Sequence, residues 1–326
     1  MAGRTDAPYF RLMDAPILSL HHVTATVDDA QDDLDFYARL LGLRLVKKTV
    51  NFDNHNVYHF YYGTTRGSPG TIMTTFPYKG WRVPVGRKGA GQITVTSFSV
   101  PQGALDTWRR RLNEHRVAFR DFESAMGEGT LEVRDRSDLI LRLVESRDDD
   151  REPWPYEGID AGAAIRGLHS VSLLVREPPR TIELLTDVLG FQIAGEADGH
   201  TRVAVNGDGA GKYLDIIEGN DAPGAINGLG TVHHVAFAIA DEDEQLRLRD
   251  QLVSIGLNVT DVRDRQYFRS IYFREPNGVL YEIATVPPGF TIDEELEQLG
   301  RELKLPPWEE PQRVAIEAGL PRIVQP

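Results

Sequence analysis

The chain contains no cysteine. That absence removes disulfides, thiolate nucleophiles, iron–sulfur clusters and zinc fingers, so any bound metal must be held by nitrogen and oxygen. Basic residues are the minority: 36 Lys and Arg stand against 49 Asp and Glu, a formal charge of −13. A nucleic-acid backbone or an anionic membrane calls for a basic surface, and neither is expected as a partner; the acidity suits ordinary solubility. Long apolar runs are missing too, none approaching the roughly 20 residues that cross a bilayer. The opening residues 1–16 carry charges and no continuous apolar stretch ahead of a small-residue cleavage site. They do not read as a signal peptide, and a cytoplasmic location is expected.

What is present is a globular composition, 41% hydrophobic and 26% charged, over 326 residues. That length exceeds the size at which one core stops growing, so about two domains are expected. Four blocks open with an apolar strand, at 18–27, 92–100, 167–175 and 232–240. Each continues into a helical stripe: Ala30, Leu34, Tyr37, Leu41; Leu105, Trp108, Leu112; Ile182, Leu185, Leu189; Leu248, Leu252, Ile255. Offsets of three and four put each set on one helix face. Short strands rich in β-branched and aromatic residues follow, and in the last block Pro276-Asn277-Gly278 marks a hairpin. Each block is therefore βαβββ, an internal repeat. The expected organisation is an N-terminal domain 1–146 with blocks one and two, a linker 147–164, a C-terminal domain 165–286 with blocks three and four, and an acidic, proline-punctuated extension 287–326 that ends in a short helix.

Two opening strands carry the same doublet at the same place: His21-His22-Val23-Thr24 in block one and His233-His234-Val235-Ala236 in block four. Side chains alternate across a strand. His21 thus shares a face with Val23, Ala25 and Val27, and His233 with Val235, Phe237 and Ile239, the apolar face that packs under a helix. His22 and His234 look the other way. On the closing strand of block four, Val279, Tyr281 and Ile283 take one face and Leu280, Glu282 and Ala284 the other. A carboxylate on a half-apolar strand is costly to bury without a positive partner, and that strand has no lysine or arginine. A metal answers the cost. Two imidazoles and one carboxylate form the facial triad that leaves positions open on non-haem Fe(II), as O2 chemistry requires. His169 holds the corresponding place in block three and is a rival: if blocks three and four build the cup, it replaces His22. The repeated doublet and the more polar face favour His22.

The βαβββ repeat with inward His and Glu resembles the vicinal oxygen chelate superfamily of glyoxalases, bleomycin-resistance proteins and extradiol dioxygenases, over nearly the whole chain. More narrowly, Val50-Asn51-Phe52-Asp53, Tyr58-His59-Phe60-Tyr61-Tyr62-Gly63, Pro69-Gly70-Thr71, DRQYFRSIYFREP at 264–276 and Leu305-Pro306-Pro307-Trp308-Glu309 resemble its ring-cleaving branch, which includes hydroquinone and dichlorohydroquinone dioxygenases. The resemblance implies an α+β fold of four vicinal-oxygen-chelate modules forming two cupped mixed sheets. It implies Fe(II), or Mn(II) or Zn(II) in its place, on ligands from modules one and four, hence His22, His234 and Glu282. His21, His233, Arg265 and Tyr272 would surround them. A small aromatic diol, hydroquinone or catechol, and O2 would be the substrates, and a homo-oligomer is compatible with the likeness.

In such chemistry Tyr272 is a candidate proton donor beside Glu282, and Arg265 a candidate for stabilising a phenolate or oxyanion. Placing His21 and His233 beside the ligands conflicts with strict alternation unless the strands bulge. The chain also departs from the branch at Asp53-Asn54-His55-Asn56, where relatives tend to have Asp-Asp-Pro, so the pocket edge is expected to differ. Two other readings share the scaffold. A glyoxalase-like isomerase or lyase would hold Zn(II) or Ni(II), usually with a fourth protein ligand; Thr74, at the place in module one that matches Glu282, is a poor one. A metal-free protein that sequesters an aromatic or drug would leave Glu282 buried without compensation.

Overall fold

A computed structural model describes residues 16–325; the N-terminal stretch considered as a signal peptide lies, apart from Pro16, outside them. Module one runs β1 (Ile17–Val27), α1 (Ala30–Leu34), β2 (Arg44–Asn51), β3 (Asn54–Gly63) and β4 (Ile72–Pro77). Asp29 caps α1 by accepting from the backbone N–H groups of Gln31 and Asp32. The helix widens into π-type turns over Asp35–Leu40. It ends before Gly42, whose φ of +67° and contact with Ile159 leave no room for a side chain. The expected stripe Ala30, Leu34, Tyr37 and Leu41 is buried in full.

The other modules repeat the plan. Module two is β5 (Gln92–Pro101), α2 (Leu105–Glu114), β6 (Phe119–Glu123), β7 (Gly129–Arg134) and β8 (Ile140–Ser146). Module three is β9 (Gly167–Val175), α3 (Pro178–Asp187), β10 (Phe191–Ala197), β11 (His200–Val205) and β12 (Tyr213–Glu218). Module four is β13 (Thr231–Ile239), α4 (Glu242–Ser254), β14 (Arg263–Asp264), β15 (Phe268–Arg274) and β16 (Leu280–Pro288), with Gly278 at φ +94° in the hairpin before β16. Of the expected helical residues, Ile255 falls just beyond α4 and is exposed.

The strands form two mixed eight-stranded sheets, β14-β15-β16-β13-β1-β4-β3-β2 and β10-β11-β12-β9-β5-β8-β7-β6. The fold is α+β. Each sheet takes one module from each half of the chain: the first joins the fourth, and the second joins the third. The joints are the antiparallel pairs β1–β13 and β5–β9. Arg151, between β8 and β9, ties the sheets together by donating to the carbonyls of Gly70 and Leu168. One large apolar cluster, with Val23, Tyr37, Trp108, Phe98, Phe237 and Tyr281, lies under the helices. A smaller one, with Tyr61, Ala236, Tyr267, Phe268 and Phe290, lies on the other face of the first sheet. Past β16 the chain folds over module one. Buried Lys47 is clamped by Asp293 and Glu294, Tyr58 donates to the Pro321 carbonyl, and α5 (Arg313–Gly319) buries Ile316. Among the described residues no helix is long and apolar enough to cross a membrane.

Candidate metal centre

Three adjacent strands of the first sheet bring His22, His234 and Glu282 together. The ladder aligns His22 on β1 with Ala236 on β13, and Ala236 with Glu282 on β16. Because Ala236 carries only a methyl, the two longer side chains reach across it, and His234, two residues earlier on the same face, joins them. Glu282 Oε2 lies 2.8 Å from His234 Nε2 and 3.4 Å from His22 Nε2, and the two Nε2 atoms are 3.3 Å apart. All three residues are buried. His169 is in the other sheet, beside Glu128 at 3.3 Å, remote from this cluster.

The donor set fits a divalent metal. Despite its short distances, Glu282 Oε2 has no hydrogen bond of acceptable geometry, and no lysine or arginine pairs with Glu282 among the described residues. Two ring nitrogens and a carboxylate oxygen thus converge within 4.8 Å of one another, and the oxygen is left without a partner. Burial raises the Glu282 carboxyl, but His22 and His234 together reverse this and hold it well below the usual carboxylate range. Burial lowers His234 below the usual imidazole value, against the pull of Glu282.

The alternation that turned His21 and His233 towards the helices does not hold at either doublet. Between Leu20 and His22 the β1–β13 register slips by one residue, and it slips again opposite Thr24 and Ala25, where His233 is the extra residue. A bulge of this kind re-aims the side chain it carries. His21 packs against Phe268 at 5.0 Å between ring centroids, and His233 lines the same cavity as His234. Each then meets its neighbour: His21 Nδ1 is 2.9 Å from His22 Nδ1, and His233 Nδ1 is 2.8 Å from His234 Nδ1. Burial, with the neighbouring imidazole adding to it, pushes both His21 and His233 down to about 3, so both are neutral.

Tyr272 pairs directly with Glu282 in the ladder, and Arg265 Nε donates to its hydroxyl oxygen at 3.0 Å. Burial first, and then the Glu282 charge, keep the Tyr272 phenol protonated well above its ordinary value. Arg265 also reaches Asp53 at 3.3 Å. Sequence reasoning passed over Ser270, which donates to Glu282 Oε1 and fixes the carboxylate. Its position two residues before Tyr272, hence on the same strand face, was the available signal. At the pocket edge Phe52 packs on Trp308 and His55 lies 3.2 Å from Glu309, so the 53–56 loop leans on the C-terminal extension. Residues from β1, β2, β3, β4, β13, β15 and β16 line one cavity of about 230 Å³, so the first sheet curls around it. An apolar void of roughly 150 Å³ holds one benzene, which makes this a space for a single substituted ring.

Paired βαβββ modules curled around a buried His-His-Glu cluster define a class of metal-site proteins. The chain belongs to the Glyoxalase/Bleomycin resistance protein/Dioxygenase superfamily, which matches residues 19–139 and 167–283. It is similar to MhqO of Bacillus subtilis (strain 168), provisionally named a ring-cleaving dioxygenase, with 42% identity over 93% of this chain and 96% of MhqO. It is also similar to the chlorohydroquinone/hydroquinone 1,2-dioxygenase of Sphingobium indicum, with 37% identity over 88% of this chain and 91% of that protein. A crystal structure of a provisionally named dioxygenase from B. subtilis subsp. subtilis str. 168 superposes with a TM-score of 0.90 at 40% identity, covering 94% of this chain and 98% of the other. Glyoxalase I from Zea mays shares the fold at a TM-score of 0.63 and 12% identity, over 87% of this chain and 97% of its own.

Proposed function

We propose that the protein is an Fe(II)-dependent dioxygenase of the extradiol type that opens the ring of a hydroquinone or catechol, with His22, His234 and Glu282 as the metal ligands. The observation that carries this reading is the set of three buried lone-pair atoms aimed at one point, beside a cavity of single-ring size. The names of the similar dioxygenases support it. Iron on these ligands would supply open positions for a substrate oxygen and O2 and a path for electrons between them; Mn(II) or Zn(II) suit the same donors.

The surrounding side chains have separable tasks. Neutral His21 and His233 accept the Nδ1–H of His22 and His234, which turns the Nε2 lone pairs inward and fixes both rings. Ser270 holds the second oxygen of Glu282. Tyr272 receives the Arg265 N–H on its oxygen, which leaves its hydroxyl hydrogen able to turn to a substrate oxygen, as a proton donor or hydrogen-bond partner. Arg265 brings positive charge to the wall where a phenolate would lie. Phe76 and Phe268, with Phe52 at the rim, limit water beside the ring.

The direct test is O2 consumption by anaerobically Fe(II)-loaded protein given hydroquinone, chlorohydroquinone and catechol in turn, with ring opening followed by absorbance. Uptake coupled to ring opening is the expected result. One tightly bound metal per chain without any uptake would instead assign an isomerase or lyase.

A further inference from the structure

His59 takes no part in the roles above, yet it lines the same cavity from the wall opposite Tyr272. The two walls are related by the joint between β1 and β13: β3 follows β1 through β4, as β15 follows β13 through β16. Register carries the relation to single residues. Tyr61 pairs with Thr74 as Tyr272 pairs with Glu282, which makes His59 the counterpart of Ser270. Their hydrogen bonds correspond as well: Ser270 bonds Glu282, and His59 Nε2 lies 3.0 Å from Thr74 Oγ1.

Thr74 directs its hydroxyl hydrogen to Thr24 Oγ1 at 2.8 Å, so its oxygen faces His59 as an acceptor. Nε2 is then the protonated nitrogen of a neutral ring, and Nδ1 keeps its lone pair. Among the described residues nothing hydrogen-bonds to Nδ1. Tyr61 and Phe76 pack on the ring with centroids at 4.1 and 4.3 Å, so the orientation is locked. Burial foremost, with His22 adding to it, lowers the His59 imidazole well below its ordinary value and keeps it uncharged. On this wall Asn51 donates to Tyr78 and accepts from the Asp53 N–H, and Thr24, having taken the Thr74 hydroxyl hydrogen, offers the cavity a donor. The cavity thus has one corner of ligating atoms at His22, His234 and Glu282, and on the wall across from Tyr272 a ring whose Nδ1 has no partner among the described residues.

We propose that His59 Nδ1 accepts the hydrogen bond of the substrate hydroxyl that points away from His22, His234 and Glu282, and so selects rings bearing a second hydroxyl. The proposal rests on the ring-cleaving reading of the site and names the group that recognises the diol.

Equilibrium binding under anaerobic conditions tests it, with metal-loaded protein, fluorescence quenching as the signal, and hydroquinone and 4-methoxyphenol as probes. Wild type should bind hydroquinone about tenfold more tightly, the effect of one neutral hydrogen bond. His59→Phe keeps a ring between Tyr61 and Phe76 but offers no acceptor, and it should bind the two probes equally. His59→Gln, which restores an acceptor oxygen, should recover part of the preference. Thr74→Val, which frees the tautomer without touching the ring, should lower the preference if His59→Phe proves unstable. A preference for hydroquinone that survives in folded His59→Phe overturns the role of His59 and leaves ring cleavage standing. Wild type that binds neither probe and takes up no O2 overturns both.

Discussion

His22 Nε2 and His234 Nε2 stand 3.3 Å apart although 212 residues separate them in the chain. The distance exists because β1 and β13 are neighbours at the joint of modules one and four, and because each histidine points its Nε2 away from a bulged partner that holds its Nδ1.

Removing a ligand should remove the metal. His22→Ala, His234→Ala and Glu282→Ala are each expected to lose retained iron, measured by elemental analysis after gel filtration of loaded protein. His169→Ala should keep it, since His169 lies with Glu128 in the second sheet. Iron lost from the His169 variant alone would contradict this assignment.

The bulged histidines should act on affinity and not on ligand count. His21→Phe and His233→Phe remove the acceptors for the ligand-ring N–H groups, and losses of such outer partners typically cost 10–100-fold in metal affinity. Competition against a chelator would measure this. Unchanged affinity in both variants would make the doublets packing devices.

Tyr272→Phe should fold and retain metal but lose turnover by about 10²- to 10⁴-fold, the usual worth of a positioned acid. Since the phenol of Tyr272 is held protonated well above its ordinary value, it should contribute no alkaline fall in rate at neutral or mildly basic pH. A variant with full turnover would leave Tyr272 with packing alone.

Asp33 provides a pH test away from the site. Burial raises its carboxyl from 3.8 to about 8, although Tyr62 and Thr75 both donate to Oδ2. The folded chain therefore holds a proton that the unfolded chain releases, and linkage makes the contribution complete below pH about 4 and lost as pH rises through about 8. Asp33→Asn cannot ionise, so its stability relative to wild type should grow between pH 5 and pH 8 in urea titrations. A difference that shrinks over that range would reverse the sign.

Four βαβββ modules and the inward faces of three strands are legible in the amino-acid pattern alone. Val23, Val235 and Tyr281 go to the core and His22, His234 and Glu282 to the cavity, because alternation along one strand is a local property of the pleat. The expected helical stripe of module one was legible for the same reason. Which modules share a sheet could not be read from strand pattern, since pairing depends on how surfaces far apart in the chain fit; the repeated doublet and the family resemblance favour one with four, and the structure joins those two and brings His22, not His169, to His234. Nor did one strand reveal the bulges at His21 and His233: a bulge is a count of residues against a partner strand, so it appears only once β1 and β13 are in register. The bond from Ser270 to Glu282 and the lock on the His59 ring likewise join neighbouring strands, so they exist only once the sheet has formed.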